Sequence, residues 1–199
     1  GMATVLDRET TMGDEICTDH FEPQDYQRFQ QRLDQEMAFV RELFAAQAFD
    51  QDSRKLGYEL ELCLLDQHGA PAPFNKQLLE IAHNSLLTVE LARFNLEING
   101  HAFPFNRSVF SDIEADLSQL CGQVEQIAHP YNIRVGLFGV LPSLRPEHLQ
   151  QQHYMSDLFR YRLLNERLLE LRDRPVKLEI KGQDELTIEK QDVMLEALG

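Results

Sequence analysis

The chain has 199 residues, which is enough for one domain, or one lobe of a larger fold, with a sizeable hydrophobic core. Its 19 basic and 33 acidic side chains give a net charge of −14. Such a charge repels a nucleic-acid backbone, so nucleic acid is excluded as an expected partner, whereas ATP can bind if cations bridge its phosphates to carboxylates.

No run of about 18 apolar residues is present to span a membrane. Three widely spaced cysteines without a CxxC motif predict reduced thiols in a cytoplasmic protein.

Residues 1–20 are polar and aperiodic, and we expect them to form a flexible arm that precedes a folded part over residues 21–199. Apolar residues then recur at a spacing of three or four from Phe29 to Phe44, which predicts a helix over residues 25–49. The patterns that follow predict a strand, a turn, a helix and a strand, at residues 56–65, 66–71, 73–87 and 92–99.

A capping box at Ser111 predicts the start of the next helix, and an apolar run predicts a central, buried strand over residues 133–140. Ser156 is expected to cap another helix, and two alternating segments around Gly182 predict a hairpin. Most of these strands are apolar on one face only. The expected fold class is therefore α+β, with a mainly antiparallel sheet and helices on one face. Because residues 193–199 are apolar and end the chain, we expect a fold that is truncated at its C-terminus.

Acidic side chains share one face of two predicted strands. In residues 57–64 the even positions are apolar, and Glu59 and Glu61 lie on the other face, about 6.6 Å apart. In residues 93–99 the same split places Glu97 on the polar face. Paired strands would bring these glutamates together, and a divalent cation such as Mg²⁺ would relieve their repulsion. The alternative is that the three glutamates simply face solvent.

Four segments resemble a known enzyme family. Gly57-Tyr58-Glu59-Leu60-Glu61 resembles the Gly-x-Glu-x-Glu strand of the glutamate–cysteine ligases and related carboxylate–amine ligases. In that family a later strand carries a second acidic cluster, which is similar to Glu90 and Glu97 here. Residues 155–162 and 192–197 also look like the family, so the resemblance runs from about residue 55 to the end.

The resemblance implies a glutamine synthetase-like sheet curved around two or three Mg²⁺ ions and ATP, and makes residues 21–199 the N-terminal part of a ligase catalytic domain. The implied reaction phosphorylates a carboxylate, often the γ-carboxylate of glutamate, and an amine such as that of cysteine displaces the phosphate. In the family, further strands after this region supply additional metal, nucleotide and substrate contacts. The resemblance therefore implies that this chain could be inactive alone. The residues that the resemblance implies are Glu59, Glu61, Glu90 and Glu97 as metal ligands, Arg93 and Arg160 as catalytic residues, and Arg162 and Glu196 as cofactor-binding residues.

Several alternatives stay open. Glu90 lies seven residues before Glu97, on the opposite face of a regular strand, so the chain would have to bend between them. The arginines Arg160 and Arg162 could hold a phosphate or a substrate carboxylate, or could form ion pairs with Asp157 or Glu166 on an exposed helix face. A non-catalytic binding or assembly domain is the second functional hypothesis, and a kinase-like or hydrolytic enzyme is the third. The expected partners are small-molecule substrates and ATP, with a possible homo-oligomer formed through an exposed sheet edge.

Overall fold

The computed structural model describes residues 15–18, 20–49, 54–171, 176–182 and 185–190. Most of the expected arm, residues 1–20, therefore lies outside the described residues. Among the described residues, no helix is both long enough and apolar enough to cross a lipid bilayer.

The first element is the helix α1, Pro23–Ala45, which confirms the helix predicted over residues 25–49 and ends earlier. Proline at the first helical position has the φ that a helix needs. Glu22 and Asp25 form a reciprocal capping box, in which each side chain accepts a hydrogen bond from the other residue's backbone N–H. No residue of α1 is buried. The helix is therefore defined by its own sequence rather than by packing on a core.

An antiparallel sheet follows. The strand β1, Lys55–Leu56, pairs with the later β5, Phe103–Pro104, in a short ladder. The strands of the main sheet are β2, Glu59–Leu65; β3, Leu87–Val89; β4, Asn95–Asn99; and β6, Arg134–Gly136. Their order is β3-β4-β2-β6, and every neighbouring pair is antiparallel. The predicted α+β class with an antiparallel sheet is confirmed.

Two helices cover one face of this sheet. They are α2, Asn75–Ala82, and α3, Val109–Ala128. In β2 and β4 the even-numbered residues point toward them, as the period of two predicts, and in β3 Leu87 does so. The resulting core is almost free of solvent and is built from leucines of the sheet and aliphatic residues of both helices: Leu62, Leu64, Leu96, Ile98, Leu78, Leu120 and Val124.

The opposite face is covered at one end only. There the buried Cys63 and Phe94 pack with Met155 and Tyr161, which belong to the chain after β6. This segment contains the short helix α4, Gln151–Tyr154, and the helix α5, Phe159–Leu171. The prediction of helices on one face is thus incomplete, because the start of α5 also packs on the second face. The uncovered end of that face carries Glu59 and Glu61.

The predicted central strand over residues 133–140 is wrong in length and in place. Only Arg134–Gly136 pairs, with β2, and β6 forms one edge of the described sheet. Beyond it Leu137, Phe138 and Val140 are exposed. The Phe138 ring folds back over Gly136, where a Cβ atom would lie 2.3 Å from the ring. An apolar run predicts burial, but it does not show whether a neighbouring strand pairs with it.

A separate hairpin ends the described chain. Its strands are β7, Val176–Lys181, and β8, Glu185–Lys190, which confirms the hairpin predicted around Gly182. Lys181 pairs with Glu185 next to the turn, so opposite charges face each other there.

Candidate metal centre

Glu61 and Glu97 form a cross-strand pair at the uncovered end of the sheet. They are directly opposite each other in the β2–β4 register. Their neighbours Leu62 and Leu96 point the other way, into the core. Because side chains alternate along a strand, both carboxylates must lie on the face that α2 and α3 leave open. The alternation in the sequence predicts this placement.

Glu90 reaches the same place through a bend in the chain. Val89 ends β3, residues 90–94 turn back, and β4 then runs antiparallel to β3 with Thr88 opposite Glu97. Glu90 comes two residues after Thr88, so a strand period of two returns it to the side of Thr88 and Glu97. One carboxylate oxygen from each of Glu61, Glu90 and Glu97 lies within 4.8 Å of the others. The bend removes the objection that Glu90 and Glu97 fall on opposite faces of a regular strand.

A buried amide and a buried hydroxyl hold this bend in place. The Asn75 side chain, 2% exposed, donates from Nδ2 to the carbonyls of Ala92 at 3.2 Å and Asn95 at 3.0 Å, and to Ser156 Oγ at 3.1 Å. Ser156 Oγ in turn donates to the Glu90 carbonyl. Ser156 is therefore not the helix cap that the sequence predicts, because its hydroxyl is used inside the protein. Nothing in the sequence pattern predicts that Asn75 and Ser156 contact each other.

Neutral side chains orient two of the carboxylates. Thr88 Oγ1 donates to Glu97 Oε1 at 3.1 Å, and Asn99 Nδ2 donates to Thr88 Oγ1 at 3.2 Å. Asn95 Nδ2 lies 3.5 Å from Glu61 Oε2, at the limit of a hydrogen bond. Glu90 Oε2 accepts a hydrogen bond from the Leu91 backbone N–H at 3.2 Å, so each of the three carboxylates has a neutral donor within 3.5 Å.

The proximity of these acids changes their protonation. Burial raises the pKa of Glu90 to about 8, and the hydrogen bond with Glu97 and the negative charges of Glu97 and Glu61 act in the same direction. At neutral pH the cluster therefore holds a proton that a cation can replace. Hard divalent ions prefer such carboxylate oxygens. Chemically, the cluster can bind a divalent cation or share a proton between Glu90 and Glu97.

The fourth predicted ligand lies apart from this group. Glu59 is exposed and stands opposite Asn99 on the same face of β2 and β4. It does not belong to the three-carboxylate group that the described residues form. Glu59 is therefore at the rim of the cluster, two residues from Glu61.

The predicted arginines occupy three different environments. Arg93 donates from Nε to the Met155 carbonyl at 2.7 Å, which ties the bend to the segment before α5. Arg162 forms an ion pair with Asp157 and stacks on Phe159, with 4.5 Å between its Cζ and the ring centroid. The Asp157 partner is one that the sequence offered as the alternative to ligand binding.

Arg160 is connected through Tyr161 to the backbone next to Glu90. One of its terminal nitrogens donates to Tyr161 Oη at 3.3 Å, and Tyr161 Oη donates to the Val89 carbonyl at 3.1 Å. Its Nε also lies 3.8 Å from Glu15. Two hydrogen bonds thus connect the Arg160 guanidinium to the residue before Glu90. Glu196, the remaining predicted residue, lies outside the described residues.

No protein-family model, curated protein or solved structure matches this chain.

Proposed function

We propose that this chain is the N-terminal part of an ATP- and Mg²⁺-dependent carboxylate–amine ligase, similar to the glutamate–cysteine ligases and with a glutamine synthetase-like sheet. The observation that carries the proposal is the convergence of Glu61, Glu90 and Glu97 within 4.8 Å on the open face of an antiparallel sheet. Glu61 is the last residue of the Gly-x-Glu-x-Glu segment. The resemblance and the geometry therefore point to the same side chains.

The donor set fits magnesium better than a softer metal. All three candidate ligands are carboxylates, and Mg²⁺ usually binds one or two of these plus water and substrate phosphates. A bound Mg²⁺ would neutralise the β- and γ-phosphates of ATP and the charge that develops as the phosphoryl group moves to a carboxylate. In this proposal Glu61, Glu90 and Glu97 hold the first ion, and Glu59 at the rim is a ligand of a second.

The three predicted arginines have different roles in this proposal. We assign Arg160 to the substrate carboxylate or the transferred phosphate, because Tyr161 connects it to the Val89 carbonyl, one residue before Glu90. Arg93 supports the bend through its hydrogen bond to Met155, and its catalytic role rests on the resemblance. Arg162, which pairs with Asp157, would have to leave that partner to contact ATP. For Glu196 the cofactor-binding role rests on the resemblance alone.

The test uses the acyl phosphate that this reaction requires. The chain is incubated with ATP, Mg²⁺, glutamate and hydroxylamine, which traps an acyl phosphate as a hydroxamate whatever the natural amine is. We expect hydroxamate and ADP in equal amounts from the unaltered chain and neither from a Glu61→Gln/Glu97→Gln variant. ADP without hydroxamate would contradict ligase chemistry and favour a kinase-like or hydrolytic enzyme.

The second candidate is a non-catalytic binding or assembly domain that keeps the ligase-like sheet. The exposed apolar side chains of α1, among them Phe29 and Phe44, favour it because such a surface suits association. Binding of Mg²⁺-ATP with no ADP release in the same assay would support this candidate.

A further inference from the structure

The Asn95 side chain has a buried oxygen atom without a partner. Asn95 is the first residue of β4 and is half-buried. Its Oδ1 atom is shielded from solvent and accepts no hydrogen bond from any residue that the structure describes. Unpaired buried polar atoms are rare in folded proteins, because the lost contact with water is not replaced, and a catalytic role or a bound ion is a known cause.

The strand register places this amide on the same face as the acidic cluster. Asn95 comes two residues before Glu97, so the period of two puts both side chains on the open face of the sheet. The β2–β4 register pairs Glu61 with Glu97 and Cys63 with Asn95. Asn95 is therefore the diagonal neighbour of Glu61 across the two strands, which is within reach of longer side chains.

The negative charge of Glu61 explains which end of the amide faces the cluster. The Asn95 Nδ2 atom, a hydrogen-bond donor, lies 3.5 Å from Glu61 Oε2. A carboxylate attracts the N–H end of an amide and repels the carbonyl end. Without a cation, the amide therefore turns Nδ2 toward Glu61, and Oδ1 is left in its buried and unpaired position.

A divalent cation held by the cluster would reverse this preference, since it attracts a carbonyl oxygen and repels an N–H group. Rotation about the last side-chain bond exchanges the two ends of the amide with little change in shape. Oδ1 then takes the place of Nδ2, 3.5 Å from Glu61 Oε2. Adjacent oxygen ligands of an octahedral Mg²⁺ ion are about 3.0 Å apart, so a movement of about 0.5 Å brings Oδ1 into the coordination shell.

A neutral ligand also suits the charge of the site. The three carboxylates of Glu61, Glu90 and Glu97, when all are ionised, already exceed the two positive charges of a divalent cation. A fourth carboxylate would add to the repulsion of the ATP phosphates. An amide oxygen fills a coordination position without adding a charge.

We propose that Asn95 is a further cation ligand of the metal centre, whose amide turns over when a divalent cation binds, so that Oδ1 joins Glu61, Glu90 and Glu97 around the ion; this rests on the function proposed above.

Two substitutions at Asn95 distinguish a ligand from a hydrogen-bond donor. Calorimetric titration of Mg²⁺ into the whole chain measures the affinity. Asn95→Leu removes both polar atoms at similar volume and should weaken Mg²⁺ binding by at least about tenfold. Asn95→Asp keeps an oxygen but, when ionised, has no donor, and should bind Mg²⁺ at least as tightly as the unaltered chain. Equal weakening by both variants would overturn the proposal, because the lost donor would then be the cause.

Stability distinguishes a ligand from a structural residue. In urea unfolding with a chelator, Asn95→Leu should be no less stable than the unaltered chain, because it removes a buried oxygen that has no partner. Saturating Mg²⁺ should then raise the unfolding midpoint of the unaltered chain more than that of the variant. A lower midpoint in chelator together with an undiminished effect of Mg²⁺ would show a purely structural role and overturn the proposal.

Further variants separate this inference from the metal centre itself. Gln77→Leu, which removes an exposed amide on α2, should leave Mg²⁺ binding unchanged. Binding that Glu61→Gln/Glu97→Gln loses and Asn95→Leu retains would overturn the role of Asn95 alone. Absence of Mg²⁺ binding by the unaltered chain would contradict the metal centre, and the role of Asn95 with it.

Discussion

The Tyr58 hydroxyl donates a 2.8 Å hydrogen bond to Oδ2 of Asp116, which ties the start of the acidic strand β2 to the helix α3. The same carboxylate accepts from the His101 backbone N–H at 3.1 Å, and its Oδ1 lies 2.8 Å from His101 Nδ1. Burial and this hydrogen bond raise the pKa of Tyr58. Burial opposes ionisation of Asp116, but the bonds from Tyr58 and His101 prevail and lower its pKa. One carboxylate therefore joins β2, α3 and the loop before β5.

Removing the charge of Asp116 should loosen this junction. Asp116→Asn keeps the shape but weakens the three hydrogen bonds from Tyr58 and His101, and we expect a loss of about 1–2 kcal/mol in the free energy of unfolding at pH 7. Because the pKa of Asp116 is lowered in the folded state, its contribution is complete above its ordinary pKa of 3.8 and disappears as the pH falls through the lowered value. Urea unfolding at pH 7 and at pH 3 measures both effects. Glu114→Gln, an exposed change on the same helix, is the control; an equal loss there would contradict the assignment.

Gly100 is required by the Tyr58 ring. A Cβ atom at this position would lie 2.1 Å from the ring, which the bond to Asp116 keeps in place. Gly100→Ala should therefore cost about 1–3 kcal/mol of stability through overpacking. Gly122→Ala, in α3 with no atom within 4 Å of its new Cβ, should instead stabilise by about 0.5–1 kcal/mol through helix propensity. Thermal unfolding of both variants measures this difference in sign, and stabilisation by both would contradict the packing described for Tyr58.

Glu90 should make the metal-free protein less stable as the pH rises. Its pKa is raised to about 8 in the folded state, from an ordinary value of 4.5. The folded protein therefore holds a proton that the unfolded chain releases, and stability is lost as the pH rises from about 4.5 through about 8. Glu90→Gln mimics the protonated form and should flatten this slope, with a gain on the order of 1–3 kcal/mol at pH 9.

Urea unfolding at pH 5, 7 and 9 in the presence of a chelator measures that slope. The matched control is Glu80→Gln, an exposed acid on α2. Equal slopes for the Glu90→Gln variant and the unaltered chain would mean that Glu90 is ionised in the folded protein at neutral pH. The cluster would then not hold the proton that a cation is expected to replace.

The Asn75 side chain should stabilise the fold and hold the bend that brings Glu90 to the cluster. Asn75→Ala removes the donor to Ala92, Asn95 and Ser156, and we expect a cost of about 2–3 kcal/mol because buried acceptors are left without it. Gln77→Ala, an exposed change on the same helix, should cost less than about 0.5 kcal/mol. Chemical unfolding checks both, and near-equal costs would show that the amide does not hold the bend.

The part of the candidate site that follows from local periodicity could be predicted. Alternation places Glu61 and Glu97 on the polar faces of their strands, and the two strands pair in the register that brings them opposite each other. The helix α1 and the hairpin of β7 and β8 are similarly local, because each is specified by spacing and turn residues within its own segment.

What depends on distant contacts could not be predicted from periodicity, and Glu90 is named through the resemblance alone. Glu90 joins the cluster because residues 90–94 bend, and that bend is held by Asn75 and Ser156, which are 81 residues apart in sequence. Periodicity carries no information about such a contact. The failure over residues 133–140 has the same cause, since strand pairing beyond Gly136 depends on a neighbouring strand and not on the apolar run itself.

The measurement that tests the central claim most directly is calorimetric titration of Mg²⁺-ATP into the chain and into its Glu61→Gln/Glu97→Gln variant. A Glu80→Gln/Glu114→Gln variant, which loses the same charge at exposed helix positions, is the control. We expect the unaltered chain and the control to bind, with proton release near pH 7 as the cation replaces the proton of Glu90, and the cluster variant to lose binding by at least about tenfold. Equal binding by all three proteins would contradict the assignment of Glu61, Glu90 and Glu97 as a metal centre.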